Sequence, residues 1–190
     1  MTNIDSVRSA LLDLICTRAY KSGDFTLSSG QKSTYYINGK QVTLDPFGAL
    51  YTGQVLLPLL PAGTGAVAGL TLGADPIVAA VSVVSALAEQ PVPALIVRKQ
   101  TKGHGTMAWI EGPTLAPGTK VAVLEDVVTT GKSAMFAVEK LRDAGFIVED
   151  VITLVDRQQG GAEFYAAQGL QFTAVFTIDT VQARAAALGL

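Results

Sequence analysis

The run VAVLEDVVTTGKSA at residues 121–134 constrains this chain more than any other part of it. Val121, Ala122, Val123 and Leu124 read as a buried strand, Glu125 and Asp126 stand at its C-terminal end, a loop of hydroxyls and glycine follows, and a helix begins near Ser133. A buried strand passing through a short loop into a helix is the repeating unit of a parallel sheet. Such a sheet takes ligands in the crevice beyond the carboxyl ends of its strands, so both carboxylates are expected to face that crevice. The amides from Val128 to Lys132, with the hydroxyls of Thr129, Thr130 and Ser133, can wrap a phosphate at the helix N-terminus. One end of the site suits hydroxyls or a metal, the other a phosphate.

Gly131-Lys132-Ser133 also looks like the end of a nucleoside triphosphate-binding P-loop. That motif requires glycine five residues before the Gly-Lys-Ser, where this chain has Asp126. A carboxylate there would repel the triphosphate, so the nucleotide-hydrolase reading is weak.

Length sets the scale: 190 residues, 49% of them hydrophobic and 16% charged, describe one globular domain able to bury a core. The net charge of −2 supplies no basic field for nucleic acid. The single cysteine, Cys16, has no partner within the chain for a disulfide and reads as a buried thiol. The Met1 end lacks a charged start followed by a long apolar run, and the most apolar segment, 77–88, falls short of the roughly 18 residues of a membrane span. A soluble, cytoplasmic protein without membrane or nucleic-acid partners is expected.

Apolar spacing predicts an amphipathic helix over 6–20, capped by Asp5 or Ser6 and ended by Gly23. Residues 24–38 read as two short strands around a Ser-Ser-Gly turn, a hairpin signature. A second helix opens at Asp45-Pro46, with Asp45 as cap, and runs to about Leu60. Strands follow at 66–70 and 94–97, separated by a helix over 77–89; later come a helix from Ser133 to Gly145, a strand at 151–155, a strand at 172–176 and a helix at 180–188. This alternation predicts an α/β fold with a central parallel sheet flanked by helices.

Three further loops carry chemistry. The glycine-rich turn 69–75 follows a strand, and its backbone, with Thr71, Leu72 and Gly73, can approach a phosphate. Arg98, Lys99, Lys102 and the only histidine, His104, crowd into one segment flanked by glycines. This is either a solvated basic loop or a lid that closes over an anion. Asp156-Arg157-Gln158-Gln159-Gly160-Gly161 ends a strand on the same rim as Glu125 and Asp126. Arg157 there either pairs with Asp156 or clamps a planar carboxylate through two parallel hydrogen bonds.

The run 121–134 resembles the phosphoribosyl pyrophosphate loop of the type I phosphoribosyltransferases. The Phe-Thr-Leu…Ser-Gly…Tyr pattern of the hairpin, the Arg-Lys-x-x-Lys-x-His-Gly loop and the Asp-Arg-Gln…Gly-Gly segment are similar to those of the orotate phosphoribosyltransferases within that family. The resemblance implies a type I phosphoribosyltransferase fold over residues 1–190, with a small N-terminal hood at 1–44 and an α/β core at 45–190. It implies transfer of the phosphoribosyl group of 5-phosphoribosyl 1-pyrophosphate to orotate, giving orotidine 5-monophosphate and pyrophosphate in pyrimidine synthesis, with Mg2+ as cofactor.

It also distributes roles. Lys102, Lys99, His104 and Arg98 would stabilise the departing pyrophosphate, Lys102 with the largest kinetic effect. Asp126 and Glu125 would hold the ribose hydroxyls and, directly or through water, magnesium, whose other ligands would be substrate oxygens. Val128, Thr129, Thr130, Gly131, Lys132 and Ser133 would cradle the 5-phosphate. Arg157 and Thr129 would orient orotate under a hood that includes Tyr36, and Thr71, Leu72 and Gly73 would form the pyrophosphate loop. Some members carry lysine where this chain has Ser28 and Gly73, two departures on the pyrophosphate side. Family members are dimers, implying that the basic loop 98–107 reaches into the neighbour's site. The alternative is a regulator on the same fold that senses phosphoribosyl pyrophosphate without turnover. It should carry a basic face or an added helix-turn-helix, and the sequence shows neither.

Overall fold

The computed structural model describes residues 3–26, 32–101 and 109–190. Helix α1, Ile4–Leu14, buries Val7 and Leu11 and is capped by Asn3, whose side chain accepts from the Asp5 amide at 3.0 Å. The cap therefore falls ahead of Asp5 and Ser6. The helix passes into a π-helical turn, Ile15–Ala19, and the chain is already extended at Tyr20. Gly23 does not end the helix; it sits inside strand β1, Tyr20–Thr26, at φ +142°. β1 pairs antiparallel with β2, Lys32–Ile37, as the hairpin pattern predicts, with the turn itself outside the described residues.

A single helical turn, α2 (Lys40–Thr43), unforeseen from sequence, precedes α3, Pro46–Leu56. Asp45 caps α3 by accepting from the amides of Phe47 and Gly48 and also pairs with Arg18, which ties the hood to the core. A 3-10 turn at Leu57–Leu59 follows. Then come β3 (Ala66–Leu70), α4 (Asp75–Leu87), β4 (Ala94–Val97), β5 (Ile110–Glu111), β6 (Lys120–Val128), α5 (Lys132–Asp143), β7 (Ile147–Asp156), α6 (Gly161–Ala167), β8 (Gln171–Thr177) and α7 (Ile178–Ala187). None of the described helices is long and apolar enough to cross a membrane.

The main sheet has the order β5-β4-β3-β6-β7-β8 and is parallel except for the short edge strand β5. The chain moves outward from β3 to β4 and returns to lay β6 on the other side of β3. The switch point, and hence the crevice, lies between β3 and β6.

Strand periodicity sorts the core into two layers. Val121 and Val123 of β6 pack with Ala134, Ala137, Val138 and Leu141 of α5 and Tyr165 of α6. Leu124 points the other way, into a layer with Leu11, Leu56, Ile77, Val78, Val81 and Val181 from α1, α3, α4 and α7.

β6 is longer than its four apolar residues suggest. Its ladder with β3 reaches only Ala68↔Val123, whereas its ladder with β7 continues through Glu125↔Thr153 to Val128↔Asp156. The two acids are therefore strand residues rather than loop residues, held on one side by β7.

Close approach at the switch point requires Gly69. A Cβ there would lie 2.2 Å from the Ala74 methyl and 2.7 Å from the Leu124 carbonyl oxygen. Gly69→Ala must push β3 away from β6 or from the turn into α4. A loss of about 2 kcal/mol in unfolding free energy is expected from overpacking, read as a lower urea midpoint with unchanged slope.

Candidate active site

The crevice is built on the overhang of β6. Successive strand residues point to opposite faces, so the Glu125 and Asp126 side chains leave β6 on different sides, yet their carboxyl groups stay close enough to interact. Glu125 follows Val121 and Val123 towards α5 and α6, where it helps line a small cleft with residues 127–134 and Tyr165. Asp126 points to the hood side, between two glycines. A Cβ on Gly39 would lie 2.8 Å from its Oδ2, and one on Gly73 3.0 Å from its Oδ1. Both glycines give that carboxylate room in this position, and the Val127 amide donates to its Oδ1 at 2.9 Å.

Glu125 is buried, and its Oε2 has no hydrogen-bond partner among the described residues. Desolvation, followed by the neighbouring Asp126 charge, pushes its pKa from 4.5 up to about 8, while the Lys99 ammonium acts in the opposite direction. Lys99 is thus close enough to be felt electrostatically.

The loop after β6 has the form expected of an anion cradle. Gly131 caps α5 in the left-handed region at φ +83°, and no side chain bonds to the cap. The amides of the first turn have no intrahelical partners and the helix dipole adds positive potential there. Tyr165, which the sequence reading passed over, underpins this loop. Its buried hydroxyl donates to the Gly131 carbonyl at 3.0 Å, and burial with the Glu125 and Asp156 charges raises its pKa. Nothing local in the sequence gives the hydroxyl a partner 34 residues away.

The pyrophosphate-loop candidates lie across the crevice. Thr71 donates to Asp75 Oδ2 at 2.8 Å, its amide donates to the Val97 carbonyl at 2.8 Å, and the Thr71–Leu72 peptide is cis. The Leu72 side chain is largely exposed.

On the far side, Arg157 is buried and its amide donates to the Val128 carbonyl at 2.9 Å, fixing it to the start of the phosphate loop. It does not pair with Asp156, whose Oδ1 instead accepts from the Gln158 amide at 2.8 Å. The guanidinium meets the hood at Tyr35 and Ser33. Tyr36, the residue singled out from sequence, is on the opposite face of β2, exposed and packed against Phe25. The period of two in a strand separates the tyrosines, and the sequence does not say which one faces inward.

In the basic segment, Arg98 is bound at the base of the loop. Its amide donates to the Trp109 carbonyl at 2.8 Å and its guanidinium pairs with Glu111 at 3.0 Å. Lys102, His104 and Ser28 lie outside the described residues. A cavity of about 610 Å3 lined by Leu57, Thr64, Gln90 and Val92 among others lies at the amino ends of β3 and β4 and has no titratable side chain.

This sheet order, with a hood over the rim and an acidic strand end leading into a phosphate-shaped loop, defines a type I phosphoribosyltransferase fold. Among solved structures, the orotate phosphoribosyltransferase of Mycobacterium tuberculosis in complex with 5-phospho-α-D-ribosyl 1-diphosphate superposes with a TM-score of 0.76 at 33% identity, covering 93% of this chain and 99% of that one. The orotate phosphoribosyltransferase of a Nostoc species is 67% identical over 98% of this chain and 91% of its own length. That of a Synechocystis species is 70% identical over 93% of this chain and 89% of its own. No protein-family model matches the chain. The chain belongs to the orotate phosphoribosyltransferase family and is a transferase.

The burial of Glu125 predicts a pH signature. Above pH 4.5 the unfolded chain releases a proton that the folded chain keeps, so the stability present below that pH is lost as pH rises through about 8. Glu125→Gln, which never ionises, should match the parent near pH 5 and exceed it in melting temperature by a margin that grows up to pH 9. A margin independent of pH would contradict the assignment.

Proposed function

We infer that this chain transfers the phosphoribosyl group of 5-phosphoribosyl 1-pyrophosphate to orotate, releasing orotidine 5-monophosphate and pyrophosphate for pyrimidine synthesis. The observation that carries this reading is a buried guanidinium, Arg157, whose backbone amide is bonded to the Val128 carbonyl at the start of the phosphate loop, on the same rim as the acidic end of β6. A carboxylated planar base and a phosphorylated sugar match those two ends. Orotate has the carboxylate; uracil and the purine bases do not.

The reaction breaks the bond between ribose C1 and a highly charged leaving group while positive charge develops on the sugar. Loop 128–133 would hold the 5-phosphate through its amides and hydroxyls. Asp126 and Glu125, whose carboxyl groups interact at the end of β6, would hold the ribose hydroxyls. Thr71, Leu72 and Gly73 would face the pyrophosphate, and Lys99, Lys102 and His104 would receive its charge as it leaves, where binding energy accelerates the reaction. Arg98 would have to exchange Glu111 for the pyrophosphate. Thr129 and Arg157 would orient orotate, whose own ring nitrogen is the nucleophile.

Mg2+ fits this donor set. The unpartnered Glu125 Oε2 and the rim carboxylate of Asp126 are hard oxygen ligands, and among the described residues no third acid, histidine or cysteine joins them. These two residues would hold the ion together with substrate and water oxygens. When bound, it would neutralise pyrophosphate charge.

We further read residues 1–190 as one catalytic domain, cytoplasmic and homodimeric. Leu44, Leu50, Val83 and Leu87 leave α3, α4 and their approaches with an exposed apolar face, which supports coverage by a second copy. Loop 98–107 would then serve the neighbour's site.

The direct test mixes the protein with phosphoribosyl pyrophosphate, magnesium and one of orotate, uracil or hypoxanthine. Loss of orotate absorbance alone, abolished by a chelator, is expected; turnover of uracil or hypoxanthine instead would overturn the assignment. Mixing Lys102→Ala chains with Asp126→Asn chains, each inactive by itself, should restore up to about a quarter of the sites through hybrid dimers. Absence of rescue after verified subunit exchange would rule out the shared site.

A further inference from the structure

Arg157 has a set of partners that the reaction alone does not explain. A guanidinium presents two hydrogen-bonding edges in one plane, the side edge Nε–Nη2 and the end edge Nη1–Nη2. Here the side edge is taken by the hood: Nε donates to Tyr35 Oη at 3.2 Å and Nη2 to Ser33 Oγ at 3.3 Å. The Tyr35 ring covers one face, its centroid 4.7 Å from the guanidinium carbon.

Both hood partners are fixed in turn. Ser33 donates its own proton to the Tyr35 carbonyl at 2.7 Å, so towards the guanidinium it can only accept. The Tyr35 ring is buried and stacked on Tyr20, with centroids 6.1 Å apart. Arg157 is 8% exposed and makes no salt bridge among the described residues. A cation this buried, with neutral partners along one edge and no counter-charge, is held ready for an anion at the other.

We propose that Tyr35 and Ser33 are positioning residues for base selection: by holding the Nε–Nη2 edge and one face of Arg157, they present its Nη1–Nη2 edge to the carboxylate of the base. This rests on the reading of Arg157 as the orotate clamp and deepens it. Without the Tyr35 hydroxyl the guanidinium can rotate about its stem, and a bidentate contact becomes a single one. The effect falls on the carboxylate, not on the phosphoribosyl half, which is held by other elements. The opposite arrangement, in which the carboxylate uses the Nε–Nη2 edge, makes Tyr35 and Ser33 competitors of the substrate and reverses the sign of their removal.

Tyr35→Phe keeps the buried ring and its stacking and removes only the acceptor; Ser33→Ala removes the second acceptor. Steady-state kinetics with orotate and phosphoribosyl pyrophosphate varied separately should show KM for orotate raised about tenfold in Tyr35→Phe, the scale of one lost hydrogen bond to a charged group. KM for phosphoribosyl pyrophosphate and kcat should change by less than about twofold. In an Arg157→Lys background, Tyr35→Phe should have no further effect on orotate KM, which separates positioning from a general loosening of the hood. An unchanged or lowered orotate KM in Tyr35→Phe, with the parent consuming orotate normally, overturns the positioning role and leaves the reaction standing. A parent chain that neither binds nor consumes orotate overturns the reaction, and the positioning role with it.

Discussion

The overhang of β6 beyond β3 is the constraint on which the rest of the site depends. Up to Val123 the strand is hydrogen-bonded on both sides and buried; past it, only β7 holds it. A strand paired on one edge keeps its extended geometry and its alternation, so Glu125 and Asp126 are delivered to opposite faces of the sheet at the crevice. Everything around them follows from that split. Gly39 and Gly73 make room for Asp126 on the hood side, and Tyr165 and the α5 N-terminus close round Glu125 on the other.

The same geometry explains the unequal electrostatics of two adjacent acids. Asp126 reaches the rim and its carboxylate is met by the Val127 amide. Glu125 points inward, where burial and its neighbour's charge hold its proton. An orphaned buried oxygen destabilises the fold, and under the proposed function it is the atom that would meet a hydroxyl or a cation. On that proposal stability and function are opposed at this one side chain, as is usual where a site is preorganised.

Much of the architecture was legible in the chain. Uninterrupted apolar runs bounded by glycine and proline gave β3 and β4 at their observed limits, and Asp45-Pro46 gave the start of α3, because these signals act within a few residues. The misreadings share one cause. The span 6–20 has helical spacing throughout, yet Ile15–Ala19 is widened into a π-helical turn and Tyr20 is drawn into the hairpin. Residues 125–128 lack the profile of a buried strand, yet the β7 ladder extends β6 through them. In both places, pairing with a distant segment overrode the local pattern.

By itself the sequence determined the alternation of the main strands and helices, though not α2, β5 or α6, the placement of the glycine-, hydroxyl- and carboxylate-bearing loops at strand ends, and the family resemblance, since each depends on residues close together in the chain. Only the tertiary structure decided which of two adjacent tyrosines faces Arg157, that Arg157 turns to the hood rather than to Asp156, and that Tyr165 supports the phosphate loop. Those contacts join residues 33 and 35 to residue 157 and residue 131 to residue 165. Strand facing and long-range register are set by how the sheets and the hood pack, a choice that local composition does not encode.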